Sequence, residues 1–207
     1  MAKVNFRKEL RHLYQPKRTF VVVDVPPMQF LMIDGHGDPN VAPAYQAAVE
    51  ALYAVAYKLK FTSKKELDRD YVVPPLEGLW WAEDMDTFTV DLDKSAWDWT
   101  MMIMQPEWID AGLLAAAVDE VAEKKGLTNL DALRLETYVE GLSVQIMHVG
   151  SYDDEAPTIR RMHDEFMPAH GYVPAGKHHE IYLSDPRRTP AEKLKTVIRQ
   201  PVREGEA

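Results

Sequence analysis

Apolar residues in this chain alternate between short β-branched runs and longer stretches with helical spacing. Phe20-Val21-Val22-Val23 predicts a strand, Pro26-Pro27 ends it, and Gln29 to Asp34 predicts a second strand adjacent to the first. After the turn from Gly35 to Asn40, Pro43 suits the first position of a helix, where its missing N–H costs nothing. Tyr45, Val49, Leu52, Tyr53, Ala56 and Leu59 then recur at helical spacing, so a helix over Pro43 to Leu59 lays one face on the sheet. Asp70 to Glu83, interrupted by Pro74-Pro75, and Trp97 to Gln105 predict an antiparallel pair joined by the polar, acidic stretch Glu83 to Ser95.

An alanine-rich helix from Gly112 to Lys125 should stop at Gly126 and pack on the outside. The pattern then repeats. Leu133 to Val139 and Ser143 to Val149 predict strands, and Pro157 to Ala169 predicts a helix with Ile159, Met162, Phe166 and Met167 buried. Glu180 to Ser184 and Thr196 to Val202 predict two more strands. Thr189-Pro190-Ala191-Glu192 has the form of a capping box before the last of them. The tail Arg203 to Ala207 is expected to fray.

Sequence matches support a duplication. IDGHGDPNVAP (Ile33 to Pro43) resembles HVGSYDDEAP (His148 to Pro157), LWWAED (Leu79 to Asp84) resembles IYLSD (Ile181 to Asp185), and IMQP (Ile103 to Pro106) resembles IRQP (Ile198 to Pro201). The matches are collinear, with longer insertions in the first copy, and insertions belong in loops. The expected fold is α+β, with two pseudo-symmetric strand-strand-helix-strand-strand modules side by side and a ligand groove between them. The chain is read as one domain over 1–207: module one at about 20–109, a linker helix at about 111–126, and module two at about 130–202.

Composition narrows the function. The chain has no cysteine, which removes disulfides, thiolate nucleophiles and cysteine-ligated zinc. A net charge of −9 argues against nucleic acid as a partner and favours neutral or cationic ligands. The one basic cluster, Lys3, Arg7, Lys8, Arg11, Lys17 and Arg18, reads as a solvated N-terminal arm. No apolar run approaches the ~20 residues of a membrane span, and the N-terminus lacks a secretory signal, so the expectation is a cytoplasmic protein that does not engage a membrane.

The chemistry-bearing residues cluster on the predicted strands. Trp80, Trp81, Trp97 and Trp99 in the first half and Tyr138, Tyr152, Tyr172 and Tyr182 in the second could wall a small-molecule pocket or simply fill the core. Adjacent Trp80 and Trp81 must point to opposite faces. Glu180 lies within an otherwise apolar strand on the same face as Tyr182. Either that face meets solvent, or the carboxylate binds a cation or accepts a proton. Glu77 and Glu140 are weaker carboxylate candidates. His178-His179-Glu180 looks like a metal motif, but neighbouring strand residues diverge, and no HExxH, phosphate loop, dinucleotide fingerprint or GxSxG occurs. No metal and no cofactor is expected.

The doubled module, the entry VPPMQFLMIDGHGDP and the ending HHEIYLSDPRRTPAEKLKTVIRQPV resemble the GyrI-like small-molecule-binding proteins over about Phe20 to Val202. The resemblance implies an aromatic-lined groove between modules, with Glu180, in the closing EIYL strand, matching a glutamate that meets cationic drugs. Relatives of this kind fused to a DNA-binding domain regulate transcription, a role not expected here. Stand-alone members, similar in length and in the Trp80-Trp81 pair, imply hydrolysis of the cyclopropane ring of DNA-alkylating compounds, with Glu180 and Tyr182 as catalytic candidates. The ligand-binding candidates are Trp80, Trp81, Trp99, Tyr138, Tyr152, Tyr172, Glu180 and Tyr182. The alternatives are a sequestering protein without catalysis, or an inhibitor module acting on a protein partner such as gyrase.

Overall fold

A computed structural model describes residues 3–83, 93–127 and 129–205. The expected acidic connection between Glu83 and Ser95 falls mostly outside these residues. Strands β1 (Val21–Val25), β2 (Met28–His36), β3 (Leu76–Trp81), β4 (Asp98–Met104), β5 (Arg134–Tyr138), β6 (Gly141–Val149), β7 (Tyr172–Pro174), β8 (His178–Tyr182) and β9 (Lys195–Glu204) build a 9-stranded sheet. Its order is β1-β6-β9-β8-β3-β4-β2-β5, with β7 pairing β9 off this path.

That order reads the same from either end once each strand is exchanged for its counterpart in the other half. β3 and β8 meet at the centre, and each half's first strand has crossed to the far side, β1 onto β6 and β5 onto β2. The crossing corrects the expectation that the first two strands are neighbours. Only Pro26-Pro27 separates β1 from β2, and a two-residue hairpin needs positive φ that proline's ring forbids. The prolines turn a corner, and β2 pairs with β4 instead.

Helices α1 (Phe6–Glu9) and α2 (Arg11–Tyr14) open the chain. They correct the reading of a solvated arm: Leu13 and Tyr14 are buried against Phe30, Met102 and Val197, while Lys3, Lys8, Arg11, Lys17 and Arg18 stay exposed. Helix α3 (Pro43–Glu66) continues past Leu59, and the ion pair of Lys60 with Asp70, at 3.0 Å, ties its last turns to the following segment. It buries Ala48, Ala51, Leu52, Val55, Ala56 and Leu59 against Leu31, Ile33, Met101 and Ile103. Helix α4 (Ala111–Lys125) is capped by Asp110, which accepts from the Leu113 N–H at 2.9 Å, and ends at Gly126 with φ +63. It packs on α3.

The second-half helix is α5 (Ala156–Arg161), a π-helical turn over Met162–Phe166, and α6 (Met167–Ala169). Pro168 has no N–H to give to the preceding turn, and the ladder slips just before it. Met162 and Met167 sit on Val144, Ile146 and Ile198. Ile198, Glu180, Gly78, Met101 and Ile33 are successive cross-strand partners, so both long helices cover one face of the sheet. The segment at Thr189 is a 3₁₀ turn (Ala191–Lys193) without the expected side-chain cap. The tail is ordered further than expected: Arg203 and Glu204 belong to β9 and pair with Val173 and Tyr172. Among the described residues no helix is long and apolar enough to cross a membrane.

One close approach is testable. A β-carbon at Gly35 would stand 2.0 Å from the Trp99 ring, which is itself fully buried. Gly35→Ala must displace that ring, and a loss of about 1 to 3 kcal/mol or more is expected, read as a lower denaturant midpoint.

Candidate functional site

On the helix-covered face, α3 and α5 stand apart over the β3–β8 seam and enclose a groove of about 1960 Å³. Single-ligand pockets usually run to roughly 300–1,000 Å³, so this one has room for a large molecule. Tyr45, Val49 and Tyr53 of α3 form one wall, and Tyr152, Ile159 and His163 the other. Trp80, His178, Glu180 and Tyr182 line the floor.

Strand alternation places His178, Glu180 and Tyr182 side by side facing the groove and turns His179 and Ile181 to the opposite face. Trp80 Nε1 donates to Tyr182 Oη at 3.0 Å, and Tyr182 Oη donates to Glu180 Oε2 at 2.9 Å. Gly78, paired with Glu180, makes room: a β-carbon there would stand 2.8 Å from Trp80 Nε1 and 3.1 Å from Tyr182 Oη. The Trp80 ring stacks on Tyr45 at 6.2 Å and meets the edge of Trp97 at 5.8 Å, while Tyr152 meets Tyr182 at 5.7 Å. Burial pushes the Tyr152 hydroxyl up to about 12 and those of Tyr45 and Tyr182 further, so all three stay protonated at neutral pH.

Two buried carboxyls meet here. Burial, and then the charge of Glu180, push Glu155 well above the usual carboxylate range. Burial acts on Glu180 in the same direction, but His178, Tyr182 and Glu155 beside it hold it below its ordinary value. Like charges in a buried site disfavour each other's ionisation, so the two carboxyls titrate as a pair, with the proton held more tightly on Glu155 than on Glu180. At the rim, burial and then His178 hold His163 below its ordinary value.

The groove brings together Trp80, Trp97, Tyr152, Glu180 and Tyr182 of the residues expected from sequence. It does not include Trp81, Trp99, Tyr138 or Tyr172. Trp81 faces the opposite side, where Lys177 Nζ lies 3.2 Å from its ring centroid. Trp99 is buried behind Tyr45, with its ring edge-on at 5.3 Å and its indole N–H donating to the Gly37 carbonyl at 3.2 Å. Tyr138 lines a separate cavity of about 450 Å³ on the opposite face, and Tyr172 packs with Met162 and Ile198.

Glu77 and Glu140 also lie on the opposite face, in a buried ionic chain. Tyr14 Oη donates to Glu77 at 2.9 Å, and His179 bridges Glu77 at 3.0 Å and Glu140 at 2.8 Å. Arg199 Nη1 donates to Glu140 at 2.9 Å, and its other nitrogens donate to Gln145 and to the Leu13 carbonyl. Burial disfavours the charged His179, yet Glu140 and Glu77 raise it to about 9; burial opposes charge on Glu140 as well, yet His179 and Arg199 lower it to about 2. Two carboxylates and two cations balance, and the chain fastens α2 to the sheet.

Sequence reasoning missed Glu155, His178, Tyr45, Tyr53 and His163 as groove residues. A signal existed for Glu155, which occupies the position of Val41 in the first copy, just before the shared Ala-Pro. The period-two rule that selected Glu180 and Tyr182 also selects His178. Among the described residues, no group of three or more His, Cys, Asp or Glu is placed to hold a metal ion.

The family described as the GyrI-like small molecule binding domain matches residues 18–203. No curated protein matches significantly. Among solved structures, an uncharacterized conserved protein from Listeria innocua is 42% identical with TM-score 0.90, over 97% of this chain and 100% of its own. A hydrolase from Listeria innocua is 40% identical with TM-score 0.85, over 97% and 100%. A further structure of a hydrolase from that organism is 41% identical with TM-score 0.88, over 98% and 100%. With nearly its whole length matched, and with a sheet that joins two helix-walled halves around an aromatic groove, this chain belongs to the GyrI-like small molecule binding domain family.

Proposed function

We propose that this protein binds a flat, largely apolar electrophile in the groove and hydrolyses it, removing a compound that would otherwise alkylate DNA. The observation that carries the reading is the pair of buried carboxyls, Glu155 and Glu180, in one aromatic pocket, with Glu155 pushed up and Glu180 held down. Pairs of titratable groups whose environments push them apart mark acid and base roles. Two solved structures that match 97% and 98% of the chain are of hydrolases.

The chemistry suits a cyclopropane conjugated to a dienone. Glu180 takes a proton from water as the water oxygen bonds to a ring carbon. The strained C–C bond breaks, and its electron pair flows to the dienone carbonyl. Glu155 gives its proton to that oxygen, which becomes a phenol. One water is added overall, and transfer of the proton from Glu180 to Glu155 restores the pair. Tyr182 and Trp80 hold Glu180 in place, while Tyr45, Tyr152 and the Trp80 ring sandwich the substrate and keep bulk water out.

Incubation with a cyclopropane-bearing alkylator in H₂¹⁸O should yield a product heavier by one labelled water. Recovery of intact compound, with tryptophan fluorescence reporting saturable binding, would instead make the protein a sequestering agent.

A further inference from the structure

Three buried polar atoms on or beside the Glu155–Glu180 pair lack an aligned hydrogen-bond partner among the described residues: Glu155 Oε1, His178 Nε2 and Thr196 Oγ1. Their residues are 3%, 6% and 0% exposed. His178 Nε2 stands 3.3 Å from Glu180 Oε1 but off the hydrogen-bonding axis, and Thr196 is the cross-strand neighbour of Tyr182. Glu155 lies against both Thr196 and Glu180. Unpaired buried polar groups are rare because each forfeits the hydrogen bonds it makes to water. Three at one carboxyl pair therefore mark a seat for a small hydrogen-bonding molecule.

We propose that Glu155, His178, Thr196 and Glu180 together form the seat of the nucleophilic water, with Thr196 and His178 as its positioning residues. The inference rests on the hydrolase reading. A buried water typically makes about three hydrogen bonds, and this seat offers that number besides the base. The Thr196 hydroxyl and the His178 imidazole fix the water's orientation, so that one O–H points at Glu180 and a lone pair points into the groove.

Thr196→Val keeps the shape and removes only the hydroxyl, together with its contact to Glu155. In crystals of the wild type, one ordered water should lie within hydrogen-bonding reach of Glu180 and at least two of the three other atoms, and it should vanish in the variant. Turnover should fall about 10²-fold with KM nearly unchanged, as expected when a reactant loses its orientation. Thr196→Ser should recover most of that loss. A wild-type crystal with no water at this seat, or a Thr196→Val enzyme that turns over like the wild type, would overturn the proposal. If the wild type binds the alkylator but converts none, the hydrolase reading fails on that result, while the ordered water in the crystal still decides the seat.

Discussion

Glu180→Gln should slow ring opening by about 10²- to 10⁴-fold while weakening binding of the intact, uncharged alkylator very little. Glutamine is the same size and can still accept the Tyr182 hydrogen bond, but it cannot take a proton, and a general base acts only as the transition state forms. The substitution also removes the charge that helps keep Glu155 neutral, so Glu155 should fall back toward the ordinary carboxylate range. The pH–rate profile separates the roles. In the wild type the rate should rise as Glu180 ionises, below the ordinary carboxylate range, and fall well above that range as Glu155 loses its proton. These limbs belong to the pair, because the two groups titrate together. Glu155→Gln should erase the alkaline limb and leave the acid one. A Glu180→Gln enzyme with undiminished turnover would strip Glu180 of the base role.

The second large effect is expected on stability. Arg199→Met leaves Glu140 and Glu77 with His179 as the only buried cation between them, and also deletes the hydrogen bond to the Leu13 carbonyl. Breaking a buried ion pair from one side costs about 3–5 kcal/mol, visible in the midpoint of urea unfolding. The N-terminal helices should loosen first, so amide exchange near Leu13 and Tyr14 should accelerate beyond the global change. The same chain shapes the pH dependence of stability. His179 is raised from 6.5 to about 9 on folding, so its contribution is complete below 6.5 and lost as pH climbs toward 9. Glu140 is lowered from 4.5 to about 2, so its contribution is complete above 4.5 and lost as pH drops toward 2. Their joint contribution is therefore greatest between about 4.5 and 6.5, and urea titrations across pH check the window.

Local rules located most elements because each strand and helix follows its own period. The helices at Pro43 and Ala156 begin at the repeated Ala-Pro, and Gly126 ends α4 as a left-handed residue should. Pairing was harder to read. Pro26-Pro27 signalled a break in the chain, but its refusal of a hairpin matters only once β6 is there to receive β1. The N-terminal segment was read by its charges, although Phe6, Leu10, Leu13 and Tyr14 already recur at helical spacing. In the site, alternation along one strand was enough for Glu180 and Tyr182. Glu155 and Tyr45 come from helices folded over the seam, and no pattern within one segment encodes what faces it across a groove.

The crossing of β1 and β5 bears on how the chain can be made. Val21 waits for Gln145, and Met28 for Tyr138, so neither half can complete its own share of the sheet while the other is absent. During synthesis the first half must stay open at its edge until most of the second has emerged. Such long-range pairing slows folding but leaves no stage at which one half is finished and stable alone. Two fragments made by cutting between α4 and β5 would each present an unpaired strand edge, and each would carry the strand the other lacks. The interlock makes the two halves one cooperative unit.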